Sequence, residues 1–529
     1  MPLPRRSLLL NGFMGAGKST LGRLVAERAG VPFIDLDDLV EARAGRSIPS
    51  LFAESGEPAF RALEAATLRE LLQRRAPQVI ALGGGALLDR SSRRSALEHA
   101  FVVTLSARPA TLLARTRGDT RPLLGDLAER PARIAELLAQ RAEAYAEAHA
   151  QIATDDLPAA ALAEQILAAW SRPTLAVPLG SRTYTVRFVQ ADPAAVAAAL
   201  RPLAPSATFL VTDENVHPLW GTKLVPALAA EGLGPVATIV LRPGEEHKRL
   251  AAVEQALTRM VEAGADRDAI VLGHGGGVVT DIAGFTAATL LRGVRWLALP
   301  TTLLAMVDAS VGGKTGVDLG PAKNAVGAFH QPSAVVIDTA QVQTESARTF
   351  RSGLAEVVKS ACLGDPELFA HMEDTAEQVL ARDPALVEEL AFRSVAVKSA
   401  IVSRDERESG ERALLNFGHT LGHALEAEGG FQRLTHGEAV SLGMVAMLRV
   451  GRALGRTDPA EATRVITLLR RLGLPVDLDD GTLQAALPFL ALDKKRRAGA
   501  VRAVLLRRVG EAELHPLAPS AFPGLLGLT

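Results

Sequence analysis

The sequence predicts an α/β chain in three parts: a three-layer P-loop α/β domain at residues 1–172, a Rossmann-like α/β domain at 173–338 and a mostly α-helical domain at 339–529. Three observations predict it. Near the start, an apolar run enters a Gly-rich loop and then a helical pattern. From about 174, apolar runs alternate with helical stretches. Beyond about Asp338 the pattern turns helical and its histidines cluster. At roughly 150 residues per domain, a chain of 529 residues is too long for one globule.

Charge and cysteine usage narrow the classes. Lys plus Arg is 58 against 59 Asp plus Glu, so a net charge of −1 gives no general field for a polyanion, and nucleic-acid binding is disfavoured. The single Cys362 closes no intramolecular disulfide, which predicts a cytoplasmic protein. The opening MPLPRRSLLLNGFMG has too short an apolar run for an export signal. The most apolar stretch, 285–307, is broken by Arg292, Arg295 and Pro300, so no membrane partner is expected. Lysine is scarce: nine positions (18, 223, 248, 314, 323, 359, 398, 494 and 495) against 49 arginines. A compact ammonium aimed at one phosphate oxygen is not replaced by a planar guanidinium, so the surviving lysines are candidates for sites.

In the first part, Ser7–Leu10 reads as a strand, GFMGAGKST (12–20) as a loop and LGRLVAERAG as a helix. The loop fits GxxxxGK[ST]: Gly15 and Gly17 let backbone N–H groups curl around phosphates, Lys18 reaches the outer phosphates, and Ser19, followed by Thr20, ligates magnesium. The next strand ends in Asp35 and Asp37, whose carboxylates would share one side of an extended chain and serve magnesium and a hydroxyl. A helix N-cap would use the same residues. Gly83–Gly85 after a buried strand admits a small ligand, and Arg115, Arg117 and Arg121 suggest a basic lid. GFMGAGKST, DLD, Arg61, GGG, RPLL and RAEAYAEA from Arg141 together resemble shikimate kinase over about 5–170. The resemblance implies that Asp37, Arg61, Gly84 and Arg141 hold shikimate, that Lys18 and Arg121 stabilise the transferring phosphoryl group of ATP, and that Asp35 supports Mg2+ and the attacking hydroxyl.

The Ala-rich helical pattern 157–170 is interrupted at 171–174, where the sequence predicts a boundary and a fresh strand-first domain, with Gly180–Ser181 as a hairpin turn. Gly273–Gly277 follows a buried strand and opens a helix, although Val278 stands where GxGxxG needs its third glycine. Asp213 and GEEHK (244–248) are candidates for ribose hydroxyls. Further on, His419 and His423 lie four apart on one helical face, a zinc-ligand spacing; His436 offers another ligand, and Glu356, with Lys359 one turn later, a carboxylate. Buried histidines without metal would show the same pattern.

The run GGGVVTDIAGF, LPTTLLAMVDASVGGKTGVD, KNAVGAFHQP, GLAEVVKS, LNFGHTLGHALE, HGEAV and DKK resembles 3-dehydroquinate synthase from about 174 onward. This resemblance implies Glu356, His419 and His436 as ligands of Zn2+, with Co2+ as an alternative, and makes His423 a substrate-side residue. It places NAD on Asp213, Glu245, Lys248, Gly276, Gly277, Asp281, Thr301 and Thr302. The substrate would meet Asp308, Lys314, Asn324, Lys359, Lys398, Arg412, Asn416 and Lys494, with Arg292 and Lys323 nearby. It also suggests a homodimer through the C-terminal region. Six of the nine lysines fall in this set and Lys18 in the kinase-like loop, seven in all. His274 departs from the small or apolar residue expected before the GGG run. The rivals are polyol dehydrogenases, which need no phosphate cage, other sugar-phosphate cyclases, and a nucleotide-sensing scaffold.

Overall fold

The computed structural model describes residues 6–74, 76–117, 124, 126, 128–320, 322–490 and 500–528. The chain divides into two compact units, Met1–Thr185 and Val186–Thr529.

The first unit is built on a parallel sheet of β1 (Leu8–Gly12), β2 (Phe33–Asp35), β3 (Val79–Ala81), β4 (Phe101–Ser106) and β5 (Ala150–Ala153), in the order β2-β3-β1-β4-β5. Helices cover both faces, so β1 is buried throughout and opens on three consecutive leucines rather than alternating. Leu8 and Leu10 enter one core cluster and Leu9 the other, which is the two-residue period of a strand dividing its side chains between layers. Asp35 ends β2 and caps the helix Leu36–Ala44, its Oδ1 accepting from the Asp37 amide at 3.2 Å. Asp37 therefore stands in a helical first turn, not on an extended chain as expected. A short strand β6 (Thr174–Val177), on the far side of the boundary expected at 172, packs with this unit. Ala176 joins the core cluster of Leu9, and Arg6 donates to the Thr174 carbonyl at 2.6 Å.

A second sheet is formed by β7 (Tyr184–Val189, which crosses the division), β8 (Thr208–Asp213), β9 (Ala237–Leu241), β10 (Ile270–Gly275), β11 (Arg295–Pro300) and, later, β14 (Ala334–Asp338), with β6 as its first strand. The order is β6-β7-β14-β11-β10-β8-β9. β10 is parallel to both β8 and β11, so the carboxyl ends of three buried strands open on one side, where doubly wound sheets bind ligands. Between β11 and β14 the chain forms an antiparallel hairpin, β12 (Lys314–Leu319) and β13 (Ala322–Phe329), which the sequence reading did not foresee.

The helical part holds Ala347–Gly364, Pro366–Leu380, Pro384–Arg404, His419–Glu428, His436–Ala453, Pro459–Arg471 and Asp480–Leu490, with a closing hairpin of β15 (Val501–Arg508) and β16 (Glu511–Leu517). Ala347–Gly364 is buried almost continuously from Phe350 to Leu363. Helix His436–Ala453 packs on it and on His419–Glu428 at backbone distance. A Cβ at Gly443 would fall 1.9 Å from the Gly418 carbonyl oxygen. Among the described residues no helix is long and apolar enough to cross a membrane.

Candidate active sites

The first unit holds a cleft of about 970 Å³ at the carboxyl end of β1. The loop 12–20 turns there because Gly12, Gly15 and Gly17 take φ of 132°, 81° and 94°. The Lys18 ammonium lies inside the loop, donating to the carbonyls of Gly12 at 2.9 Å and Phe13 at 3.0 Å. Ser19 Oγ donates to Asp35 Oδ2 at 2.6 Å, so the two expected magnesium-side oxygens are adjacent. Thr20 lines the same cleft.

Opposite the loop, Gly83–Gly85 form a floor against which charged side chains press. A Cβ at Gly83 would meet Glu64 Oε1 at 2.5 Å and Asp37 Oδ1 at 2.8 Å, and one at Gly85 would meet the Arg61 guanidinium at 2.6 Å. Arg141 donates to the Gly84 carbonyl at 3.0 Å and Tyr145 to the same oxygen at 2.6 Å. Glu64, 2% exposed, pairs with Arg61 at 2.7 Å. Burial pushes its carboxyl above the usual range even against the Arg61 charge. Glu64 and Tyr145 were not singled out in the sequence. Their signal was helical spacing, three after Arg61 and four after Arg141. Arg115 bonds the Gly15 carbonyl and Thr154, and most of the loop expected as a lid lies outside the described residues. Arg121 lies outside the described residues.

The second unit holds a larger cleft, about 1130 Å³. Its nucleotide-like end is built at the strand ends. Asp213 Oδ1 closes the turn after β8 by accepting from the amides of Asn215 and Val216. Gly276 caps the helix Gly277–Thr289 after β10, leaving backbone N–H groups aimed into the cleft. Thr301 and Thr302 follow β11, the Thr301 amide bonding the Gly275 carbonyl at 3.0 Å. Lys248, almost buried, donates to Asp281 at 2.5 Å and to Asn324 Oδ1 at 2.6 Å. Burial pulls its pKa down, but Asp281 and Glu245 outweigh that and hold it above the usual value. Lys323 lies 3.4 Å from Glu245.

At the other end, Asp308 is held by two buried ammonium groups, Lys398 at 2.7 Å and Lys359 at 3.5 Å. Burial raises its carboxyl, and the two lysines more than reverse this. Lys398 itself is pulled down to about 8 by burial, with Asp308 resisting and Lys359 assisting. Lys314 and Asn416 both bond Glu408, and Arg412, 2% exposed, bonds the Gly312 carbonyl at 2.9 Å. Glu345, also unforeseen, accepts from the Leu303 amide at 3.1 Å, and burial pushes it up to about 7.

Between these ends, Glu356 Oε1 lies 3.3 Å from His419 Nε2 and 3.4 Å from His436 Nε2. Glu356 is 1% exposed, and neither of its oxygens makes a hydrogen bond of good geometry, although the Lys359 ammonium contacts Oε2. A buried carboxylate with one oxygen on the Lys359 ammonium and the other facing two imidazoles fits a divalent cation of zinc type on the imidazole side. His423 lines the cleft but not this trio; with Glu426 and His436 it forms a second group of donor atoms within 4.8 Å. Arg292 is not brought to the cleft; it is exposed on a turn at φ 72°. Lys494 lies outside the described residues. His274 is buried away from the cleft, 3.1 Å from Gln341, and burial pulls it down to about 4, so it is a neutral structural residue.

The family model for shikimate kinase matches residues 14–171, and those for the N-terminal and C-terminal parts of 3-dehydroquinate synthase match 238–352 and 353–496. A 3-dehydroquinate synthase of Acidithiobacillus ferrooxidans is 43% identical over 357 residues, 66% of this chain and 95% of that protein. The chain belongs to the 3-dehydroquinate synthase family, with a shikimate kinase domain ahead of it. A 2-epi-5-epi-valiolone synthase of Streptomyces hygroscopicus, solved with NAD+ and Zn2+ bound, is 31% identical over 65% of this chain and 96% of its own, with a TM-score of 0.59. A 2-deoxy-scyllo-inosose synthase solved with carbaglucose-6-phosphate, NAD+ and Co2+ shares the fold at 23% identity, over 67% of this chain and 99% of its own, with a TM-score of 0.60. The synthase family thus accounts for the second cleft and the kinase family for the first: the chain is an enzyme of the shikimate pathway with kinase and lyase parts.

Proposed function

We propose that the first cleft transfers the γ-phosphoryl group of ATP, with Mg2+, to shikimate, giving shikimate 3-phosphate. We propose also that the second converts 3-deoxy-D-arabino-heptulosonate 7-phosphate to 3-dehydroquinate and phosphate with NAD and Zn2+ or Co2+. In the kinase, Lys18 and the loop amides bind phosphate oxygens, Ser19 and Asp35 face magnesium, and Arg61 and Arg141 bind the acid's carboxylate beside Asp37. Positioning and charge neutralisation suffice for this chemistry. Arg121 is included on the kinase resemblance alone.

In the synthase, Glu356, His419 and His436 would hold the metal, and Asp213, Glu245, Lys248, Asp281 and the Gly276–Gly277 helix start would hold NAD. When bound, these groups supply polarisation of a secondary alcohol and its transient oxidation, which acidifies the neighbouring C–H for phosphate elimination. Lys314, Lys359, Lys398, Arg412 and Asn416 bind and orient the substrate's anionic groups, Asp308 keeps two of these lysines charged and in place, and His423 faces the substrate as a proton-holding group. The observation that carries the reading is the crowding of four cationic side chains around a Glu-His-His trio in one cleft with a nucleotide-type helix start. A polyol dehydrogenase has no use for that many cations. A cytoplasmic homodimer through the C-terminal region, acting on small molecules only, completes the proposal on the family resemblance. Two assays on the intact chain test it: shikimate-dependent ADP formation, and phosphate release from the heptulosonate phosphate without net NADH. Steady NADH release would favour a dehydrogenase instead.

A further inference from the structure

Glu426 is a buried carboxylate behind the lining of the second cleft, against Lys323 and His436, that neither the metal trio nor the nucleotide set includes. It lies seven residues after His419 and three after His423 on the same helix face. It is 3% exposed. Its Oε1 is 3.0 Å from Lys323 Nζ and 3.5 Å from His436 Nδ1, while its Oε2 has no hydrogen-bond partner. The opposite ring nitrogen of His436, Nε2, lies 3.4 Å from Glu356 Oε1. The imidazole therefore stands between two carboxylates, one on each nitrogen.

Two roles compete for Glu426. His423, Glu426 and His436 bring donor atoms within 4.8 Å of one another, which would suit a second cation sharing His436. The Lys323 ammonium opposes it: it rests 3.0 Å from Glu426 Oε1 and 3.4 Å from Glu245, placing a positive charge beside the carboxylate that a cation would need. Repulsion at that range is several-fold stronger in a buried site than in water. A carboxylate on Nδ1 instead fixes the Nδ1–H tautomer and leaves the Nε2 lone pair facing the other ligands.

We propose that Glu426 is a positioning residue. It orients His436 toward Glu356 and His419, and it ties that ring to Lys323 at the nucleotide end of the cleft. The inference rests on the reading that Glu356, His419 and His436 hold a divalent cation.

The test titrates the metal-free full-length chain with Co2+, reading the visible absorption of the bound ion and its competition with a chelator, for the native protein, Glu426→Gln and Glu426→Asp. Expected are one Co2+ per native chain, an affinity about 10- to 100-fold lower with an altered absorption band in Glu426→Gln, a smaller loss in Glu426→Asp, and an unchanged melting temperature of the metal-free chain. Native affinity and spectrum in Glu426→Gln overturn the inference. So does a loss matched by a lower metal-free melting temperature, since the role is then structural. A second equivalent of Co2+ in the native chain that Glu426→Gln removes overturns it in favour of the second cation site. A native chain that binds no Co2+ overturns the metal reading itself, which is seen before any variant is compared.

Discussion

A Cβ at Gly437 would stand 1.9 Å from the carbonyl oxygen of Ser352. The Gly437 amide also donates to Ser352 Oγ at 2.9 Å. The start of helix His436–Ala453 thus lies directly on the helix that carries Glu356, one turn beyond Ser352, and this contact sets His436 against Glu356. Gly437→Ala must push the two backbones apart. We expect it to cost about 1 to 3 kcal/mol of stability and to lower zinc affinity at least about tenfold, since the ligand it displaces is one of three. Melting curves and metal content after dialysis check both; native values for both would contradict this account of how the trio is assembled.

Burial holds Lys398 at about 8, so the ammonium that pairs with Asp308 is charged below that pH and lost above it. Anion binding in the second cleft needs the charge. The kcat/KM of phosphate release is therefore expected to fall on the alkaline side with a midpoint near 8, and Lys398→Arg, always charged, to remove that limb whatever its effect on the maximal rate. A flat profile from pH 7 to 9 in the native chain would contradict the assignment.

The Lys18 ammonium fits between two carbonyls of its own loop. A guanidinium is too wide for that space, so Lys18→Arg should slow shikimate phosphorylation about a hundredfold or more while cyclisation continues. Lys314→Arg should show the opposite pattern. Steady-state rates of both reactions on each variant decide it.

The strand Thr174–Val177, first in the order of the second sheet, also contributes Ala176 to the core cluster of Leu9. A fragment ending at 172 lacks Ala176 and the Arg6 contact to Thr174. It is expected to be about 1 to 2 kcal/mol less stable than one ending at 179, a difference of about 2 to 8 °C in melting temperature. Equal melting temperatures would show that the strand adds nothing to this core.

What was legible in the sequence was chemistry confined to one element or one loop. Gly12 to Thr20 had to be a phosphate loop because so few backbones turn that way, and His419 stood out by its four-residue spacing to His423, although the trio with Glu356 and His436 was implied only by the family resemblance. Asp37 was misplaced because a strand end and a helix cap use the same residues. The hairpin of β12 and β13 carries glycines and no clean alternation, so it read as loop. Glu64, Glu345, Glu408 and Glu426 were missed because, among 59 acidic residues, a buried carboxylate beside a cation looks like any surface acid until the partner's position is known. Strand β6 reads locally as the start of a new sheet, which is its place in the strand order, while its packing with the Leu9 cluster had no local signal.

One chain is expected to carry two active sites that work independently, and His436→Ala in the intact protein is the sharpest check. Phosphate release from the heptulosonate phosphate and magnesium-supported phosphorylation of shikimate are measured on the same sample. The first is expected to fall to background, because two remaining protein ligands hold the metal poorly, while the second keeps its native rate. Loss of both activities in a folded variant, or survival of phosphate release, would contradict it.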